Sequence, residues 1–225
     1  ANGVWTAQAA IGVYSGPFSL TTGLDGSIWA ANQTSGTVQQ ILKNDNGVWT
    51  AQTLVVNVGT KPYSLTTGLD GSIWVANYNS NTVQRIVNAN GVWTAQAAID
   101  VGVEPYALTT GHDGSIWVAN YSSNTVQQIA VQSNAPSDLA AVFGPGSGEM
   151  TLAWQPPVID GGTPVISYTA TVAQGTYTKT ITTSDTSCVF DGLTLGSGPT
   201  YFTVTANNFA GESKTAALQI DASGN

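Results

Sequence analysis

Two side chains capable of nucleophilic or metal-ligating chemistry occur once each, His112 and Cys188. A metal site built on two histidines therefore cannot form within one chain. Cys188 lies in the alternating stretch Ser187-Cys188-Val189-Phe190, and the burial tendency of cysteine predicts a packed structural thiol. Carboxylates recur at Asp25, Asp70 and Asp113, each inside Gly-x-Asp-Gly, and His112 stands where the other two copies have Leu24 and Leu69. An aspartate in such a turn hydrogen-bonds its own following backbone. One carboxylate per turn falls short of the roughly six to eight oxygens that calcium takes, so these aspartates are expected to form turns. No Gly-rich phosphate loop precedes a helix, and no cofactor is expected.

A second set of residues suits binding rather than catalysis. Lys61 and Glu104 each precede a proline, and two further segments read Asn77-Tyr78-Asn79-Ser80 and Asn120-Tyr121-Ser122-Ser123. Amide, hydroxyl and aromatic groups around one opening suit a carbohydrate or a peptide, because ring faces stack while amides take hydroxyls. The expected binding residues are Lys61, Asn77, Tyr78, Asn79, Glu104, Asn120, Tyr121 and Ser122. The alternative is that the asparagines cap turns and the tyrosines shield sheet edges. Trp5, Trp49 and Trp93 are candidates for sugar stacking or for packing, and Trp29, Trp74 and Trp117 read as core.

The elements that position these residues are repeats. Asn-Gly-Val-Trp-Thr-Ala-Gln begins at Asn2, Asn46 and Asn90, a period of 44. A second block starts at Pro17, Pro62 and Pro105, and its last two copies differ only at Ser64/Ala107, Leu69/His112, Asn79/Ser122, Arg85/Gln128 and Val87/Ala130. Within one unit, apolar β-branched runs separated by turn chemistry predict strands over 18–22, 27–31, 37–42 and 48–55. Four short strands per repeat without helical periodicity are the signature of a propeller blade. The loops before the first strand and after the second emerge on one side, which gathers the binding set on one rim.

The block from Val58 to Val83, with Pro62-Tyr63 and Asp70-Gly71-Ser72-Ile73-Trp74-Val75-Ala76-Asn77, resembles YVTN-type and NHL-like propeller repeats, including those of streptogramin lyase. The resemblance covers roughly residues 1–131. It implies a proline-led innermost strand and an outermost strand bearing Val48-Trp49-Thr50. The chain would then begin with an outermost strand, Val4–Ile11, and end with a blade lacking one. Three blades cannot ring an axis, and open ends expose strand edges. The expectation is half of a six-bladed ring closed by head-to-tail homodimerisation, Val4–Ile11 of each copy completing the other's last blade. The alternative is a piece of a longer repeat array. A lyase of this resemblance needs a catalytic histidine and carboxylates around a divalent metal, whereas His112 is expected on the face opposite the usual active-site face.

Ser133-Asn134-Ala135-Pro136 reads as a linker. Beyond it, Met150-Thr151-Leu152-Ala153-Trp154-Gln155-Pro156-Pro157 and Tyr201-Phe202-Thr203-Val204-Thr205-Ala206-Asn207-Asn208 resemble bacterial fibronectin type III domains, which implies a β-sandwich with Trp154 in its core. The fold class expected is therefore all-β: a three-blade propeller segment over 1–132, a linker over 133–136 and a sandwich over 137–225.

Composition narrows the partners. Hydrophobic residues make up 42% of the chain and charged residues only 8%, with a net charge of −8. So few basic groups cannot neutralise phosphates, so no nucleic-acid partner is expected, and no apolar run approaches the roughly 20 residues that span a bilayer. A polar, weakly charged surface suggests a secreted or cell-surface bacterial protein. Three readings remain open: a non-catalytic binding or adhesion protein with a glycan or protein ligand on its rim, a streptogramin lyase-like enzyme, and a structural repeat of a larger surface protein.

Overall fold

The computed structural model describes residues 7–144, 146, 148–194 and 198–221, apart from the Leu54 side chain. The protein is all-β, with several antiparallel sheets and a single 3-10 turn at Tyr78–Ser80 among the described residues. Two compact units divide at Ala130, and Gly111–Ser115 groups with the second.

Three sheets form the first unit. The first holds β1 (Pro17–Thr22), β2 (Ile28–Asn32), β3 (Thr37–Lys43) and β4 (Trp49–Asn57) in that order. The second holds β5 (Pro62–Thr67), β6 (Ile73–Asn77), β7 (Thr82–Ala89) and β8 (Val92–Ala95), with the short β9 (Ile99–Asp100) also on β7. Its expected fourth strand is thus divided: Val92–Ala95 pair with one end of β7, and Ile99 and Asp100 with the other. The third has only β10 (Pro105–Thr110), β11 (Ile116–Asn120) and β12 (Thr125–Ile129).

Each turn between the first two strands is built as its aspartate predicts. Ser27 N–H donates to Asp25 Oδ1 at 2.9 Å, and Ser72 and Ser115 repeat the bond to Asp70 and Asp113 at 3.0 Å. The same serine hydroxyls then accept from Trp29 Nε1 (2.9 Å) and Trp74 Nε1 (3.0 Å), which ties turn to core. A Cβ on Gly68 would stand 2.8 Å from Ser72 Oγ and 3.1 Å from Trp74 Nε1, so the relay fits only a glycine.

The sheets are coupled along their first strands. Leu65 N–H donates to Ser19 Oγ (3.2 Å), and Leu108 N–H donates to Ser64 Oγ (3.0 Å). The equivalent third-sheet position is Ala107, which has no hydroxyl. Trp29 packs edge-on against Trp93, 4.6 Å between centroids, and heads an apolar core with Val38, Leu65, Ile73, Val75 and Ile86.

Both ends of this array are bare. Val126 on β12 is 65% exposed, whereas its counterparts Val38 and Val83 are fully buried; Leu20 on β1 is 64% exposed and Leu65 only 6%. The expected first strand, Val4–Ile11, lies partly outside the described residues; its remainder, Ala7–Ile11, forms no strand and is exposed.

The second unit is a fibronectin type III-like β-sandwich. One sheet contains β13 (Ser137–Phe143), β14 (Met150–Gln155) and β17 (Ser187–Phe190). The other contains β15 (Ser167–Gln174), β16 (Tyr177–Thr183) and β18 (Thr200–Asn208), with β19 (Gly211–Glu212) and β20 (Ala216–Ile220) also on β18. Alternation along β15 and β18 turns Tyr168, Ala170, Val172, Phe202, Val204 and Ala206 inward. Trp154 meets Tyr168 edge-on at 5.3 Å in this core. Cys188 is half-buried, and desolvation pushes its thiol up to about 11. The approach to β13 is fastened to the sandwich: Val131 N–H donates to Gly161 O (2.9 Å), Asn134 N–H to Ile159 O (2.9 Å), and Asn208 Nδ2 to Val131 O (3.0 Å).

Candidate functional site

The rim is assembled by a backbone pairing that each repeat copies. Gln33 N–H donates to Gly16 O (2.7 Å), Tyr78 N–H to Lys61 O (2.9 Å) and Tyr121 N–H to Glu104 O (2.9 Å). The residue before each proline is thereby held beside the first residue after the second strand. All three pre-proline residues are left-handed, with φ of 73° at Gly16, 52° at Lys61 and 55° at Glu104.

The aromatic side chains along this rim form one ladder. Phe18 lies 4.3 Å from Tyr63, Tyr63 stacks on Tyr78 at 4.4 Å, and Tyr63 reaches Tyr106 at 5.4 Å. Tyr106 then meets Tyr78 at 6.3 Å and Tyr121 at 5.9 Å. Phe18, Tyr106 and Tyr121 are exposed, and Tyr63 and Tyr78 are half-buried. Glu104 accepts hydrogen bonds from the Ser122 hydroxyl and from the Tyr78 hydroxyl. These two bonds hold its carboxyl below the usual range, and the bond to Glu104 pushes Tyr78 up to about 12. At neutral pH Glu104 is a carboxylate beside the neutral phenol of Tyr78.

Of the residues expected at the rim, Tyr78, Glu104, Tyr121 and Ser122 lie together. Lys61 and Asn79 stand exposed on the same pair of loops. Asn77 and Asn120 require correction, because they point inward and are buried. Asn77 Nδ2 donates to Thr82 Oγ1 (3.2 Å) and Gln84 Oε1 (3.0 Å), and Asn120 Nδ2 to Thr125 Oγ1 (3.1 Å) and Gln127 Oε1 (2.7 Å). The glutamine oxygens in turn accept from Gly59 N–H (2.8 Å) and Gly102 N–H (2.6 Å), so these amides anchor the rim loops rather than face a ligand.

Phe18, Tyr63 and Tyr106 are ladder residues that the sequence reading passed over. The signal was an aromatic residue directly after the proline in all three copies. Trp5 lies outside the described residues, and the other two outer tryptophans do not join the rim. Trp93 packs on Trp29 beside a cleft of about 210 Å³ that Gln40, Leu42 and Val56 also line, and Lys43 Nζ lies 5.8 Å from the Trp49 ring.

Residues 6–137 match the family model of the virginiamycin B lyase family. No curated protein matches the sequence. Solved structures similar to this chain include the twitchin kinase region from C. elegans, at 24% identity over 40% of this chain and 16% of that one, with a TM-score of 0.34. A fourth human FNIII domain aligns at 18% identity over 41% of this chain and 80% of that one, with a TM-score of 0.36. A Fn3-like protein from Clostridium thermocellum aligns at 22% over 39% and 90%, with a TM-score of 0.31. The chain spans only 16% of the length of the twitchin and titin kinase structures.

Proposed function

The chain belongs to the virginiamycin B lyase family, and from that premise we propose that its three repeats are propeller blades serving as a non-catalytic binding module, with the aromatic rim holding a glycan or protein ligand. The observation that carries this reading is the continuous ladder from Phe18 through Tyr63 and Tyr106 to Tyr121. Tyrosines bring large contact area at low entropy cost, and an exposed row of them is an expensive surface to leave in water unless it is used.

Lyase chemistry is the weaker reading because the donor set does not fit it. Among the described residues, no three His, Cys, Asp or Glu side chains come together. His112 follows the far end of β10 from Tyr106, and the carboxylate at the rim is engaged by two hydroxyls.

A head-to-tail pair of chains would join the bare β12 edge and the bare face of β1 into a six-bladed ring, Val4–Ile11 supplying the strand that the third sheet lacks. The segment 4–7 has the sequence Val-Trp-Thr-Ala, identical to β8, which fills that place in the second sheet. Export to a bacterial surface accords with the 8% charged fraction.

Light scattering after size exclusion tests the assembly: about twice the 23.2 kDa chain mass is expected, and a clean monomer at high concentration refutes ring closure. Glycan and peptide arrays test the rim. Tyr121→Ala combined with Tyr78→Ala should remove the captured ligand while the chain still melts cooperatively, and unchanged capture would refute rim binding.

A further inference from the structure

The last corner of the ladder is chemically unlike the rest. Within the single chain Tyr106 and Tyr121 present their rings to solvent 5.9 Å apart at 41°, with Tyr78 edge-on to Tyr106. Glu104 stands among them, and both of its hydrogen-bond partners are neutral hydroxyls. The ion pairs found among the described residues, Arg85 with Asp70 and Lys179 with Asp191, are elsewhere.

Glu104 adopts φ of 55°, the left-handed conformation that Gly16 and Lys61 share at this place in the other repeats, so the carboxylate is set here by side-chain identity on a common backbone.

Ring faces are the negative part of an aromatic quadrupole, and a cation within about 6 Å of the centroid is attracted to them. A carboxylate beside those faces adds a full negative charge. A hard metal ion is not matched, because it needs more oxygens than this corner offers. A neutral sugar would use the rings and leave the charge idle. A weakly hydrated organic cation uses both.

We propose that the corner formed by Tyr78, Glu104, Tyr106 and Tyr121 binds a methylated ammonium group, its methyls against the Tyr106 and Tyr121 rings and its charge beside Glu104. The inference rests on the rim being a ligand-binding surface and names the group that it takes.

Choline, titrated into the full chain and followed by NMR of the tyrosine resonances, is the first probe. Saturable binding is expected, weakened at least tenfold in Glu104→Gln and in Tyr121→Leu, and weakened further as salt rises. The neutral isostere 3,3-dimethyl-1-butanol should bind at least tenfold less tightly. Equal affinity for the isostere, or Glu104→Gln binding choline as well as the native chain, overturns the proposal. Glu104→Gly separates site from fold: it relieves the left-handed strain, so it should melt higher than the native protein yet lose choline. A trimethyl-lysine peptide run beside choline distinguishes a protein-borne ammonium from a free one. If choline and that peptide fail while the tyrosine-dependent capture of another ligand persists, the ammonium assignment falls and the rim reading stands. If the double tyrosine variant leaves all capture unchanged, both fall.

Discussion

Replacing Gly59 by alanine tests how the rim is held. A Cβ there would lie 2.7 Å from Asn77 Cγ and 2.8 Å from Asn77 Cβ, well inside contact distance. Asn77 is fully buried and cannot swing away without giving up Thr82 and Gln84. Overpacking of this kind costs about 1–3 kcal/mol, and a buried amide stripped of partners costs about 1–3 kcal/mol more. Partial relaxation puts the total at about 2–4 kcal/mol on this reasoning. At roughly 4 °C per kcal/mol for a unit of this size, the transition of the first unit should fall by about 10 °C. Differential scanning calorimetry of the full chain reads this directly. Two controls sharpen it. Gly26→Ala meets no atom within 4 Å and has φ of +80°, so it pays only the left-handed cost of about 1–2 kcal/mol. Gly102→Ala meets Asn120 Cγ at 2.7 Å, but in the sheet whose outer edge is bare, where relaxation is easier. The expected order of loss is Gly59, then Gly102, then Gly26. A Gly59→Ala protein melting within 2 °C of the native chain, or above Gly26→Ala, would refute the anchoring role of the asparagine.

Two further outcomes follow from the titrating groups. In an absorbance titration Tyr78 should ionise near about 12, and Glu104→Gln should return it toward the ordinary phenol value. Because the Tyr78 value is raised, its bond to Glu104 contributes below the ordinary tyrosine pKa and is lost as pH rises through about 12. Because the Glu104 value is lowered, the carboxylate's contribution persists above the ordinary range and is lost only as pH falls through the depressed value. Cys188, with its thiol at about 11, should react with a disulfide reagent at pH 8 at least about a hundredfold more slowly in the native chain than after denaturation; equal rates would contradict its packing in β17.

Repetition made much of the fold legible. The Asp-Gly turns and the proline-led first strands follow from local chemistry that every copy restates, the buried Trp154 follows from its apolar surroundings in the sandwich, and the strands of the first complete repeat depart from their expected bounds by a residue or two. Side-chain direction was harder to read. Asn77 and Tyr78 are sequence neighbours in a polar segment, yet one is the last strand residue, turned inward, and the other starts a 3-10 turn facing out. The aromatics after each proline escaped notice because Phe18, Tyr63 and Tyr106 sit on strands otherwise read as interior. Composition does not say which side of a strand end faces water. The fastening of residues 131–134 to the sandwich was equally hidden, since it depends on Gly161: a Cβ there would fall 2.0 Å from Val131 O.

The serine at the third position of β1 and β5 has a consequence for how an assembly of these sheets would come apart. Ser19 and Ser64 each accept an amide from the next sheet, coupling first to second and second to third. Ala107 breaks that series. In a ring closed by a second copy, both joints between chains would fall after an Ala107, each one hydrogen bond short of the joints within a chain. Such a ring would part on dilution at these two places, each third sheet giving up the outer strand lent by the other copy and keeping its own three, so its closure would depend on concentration.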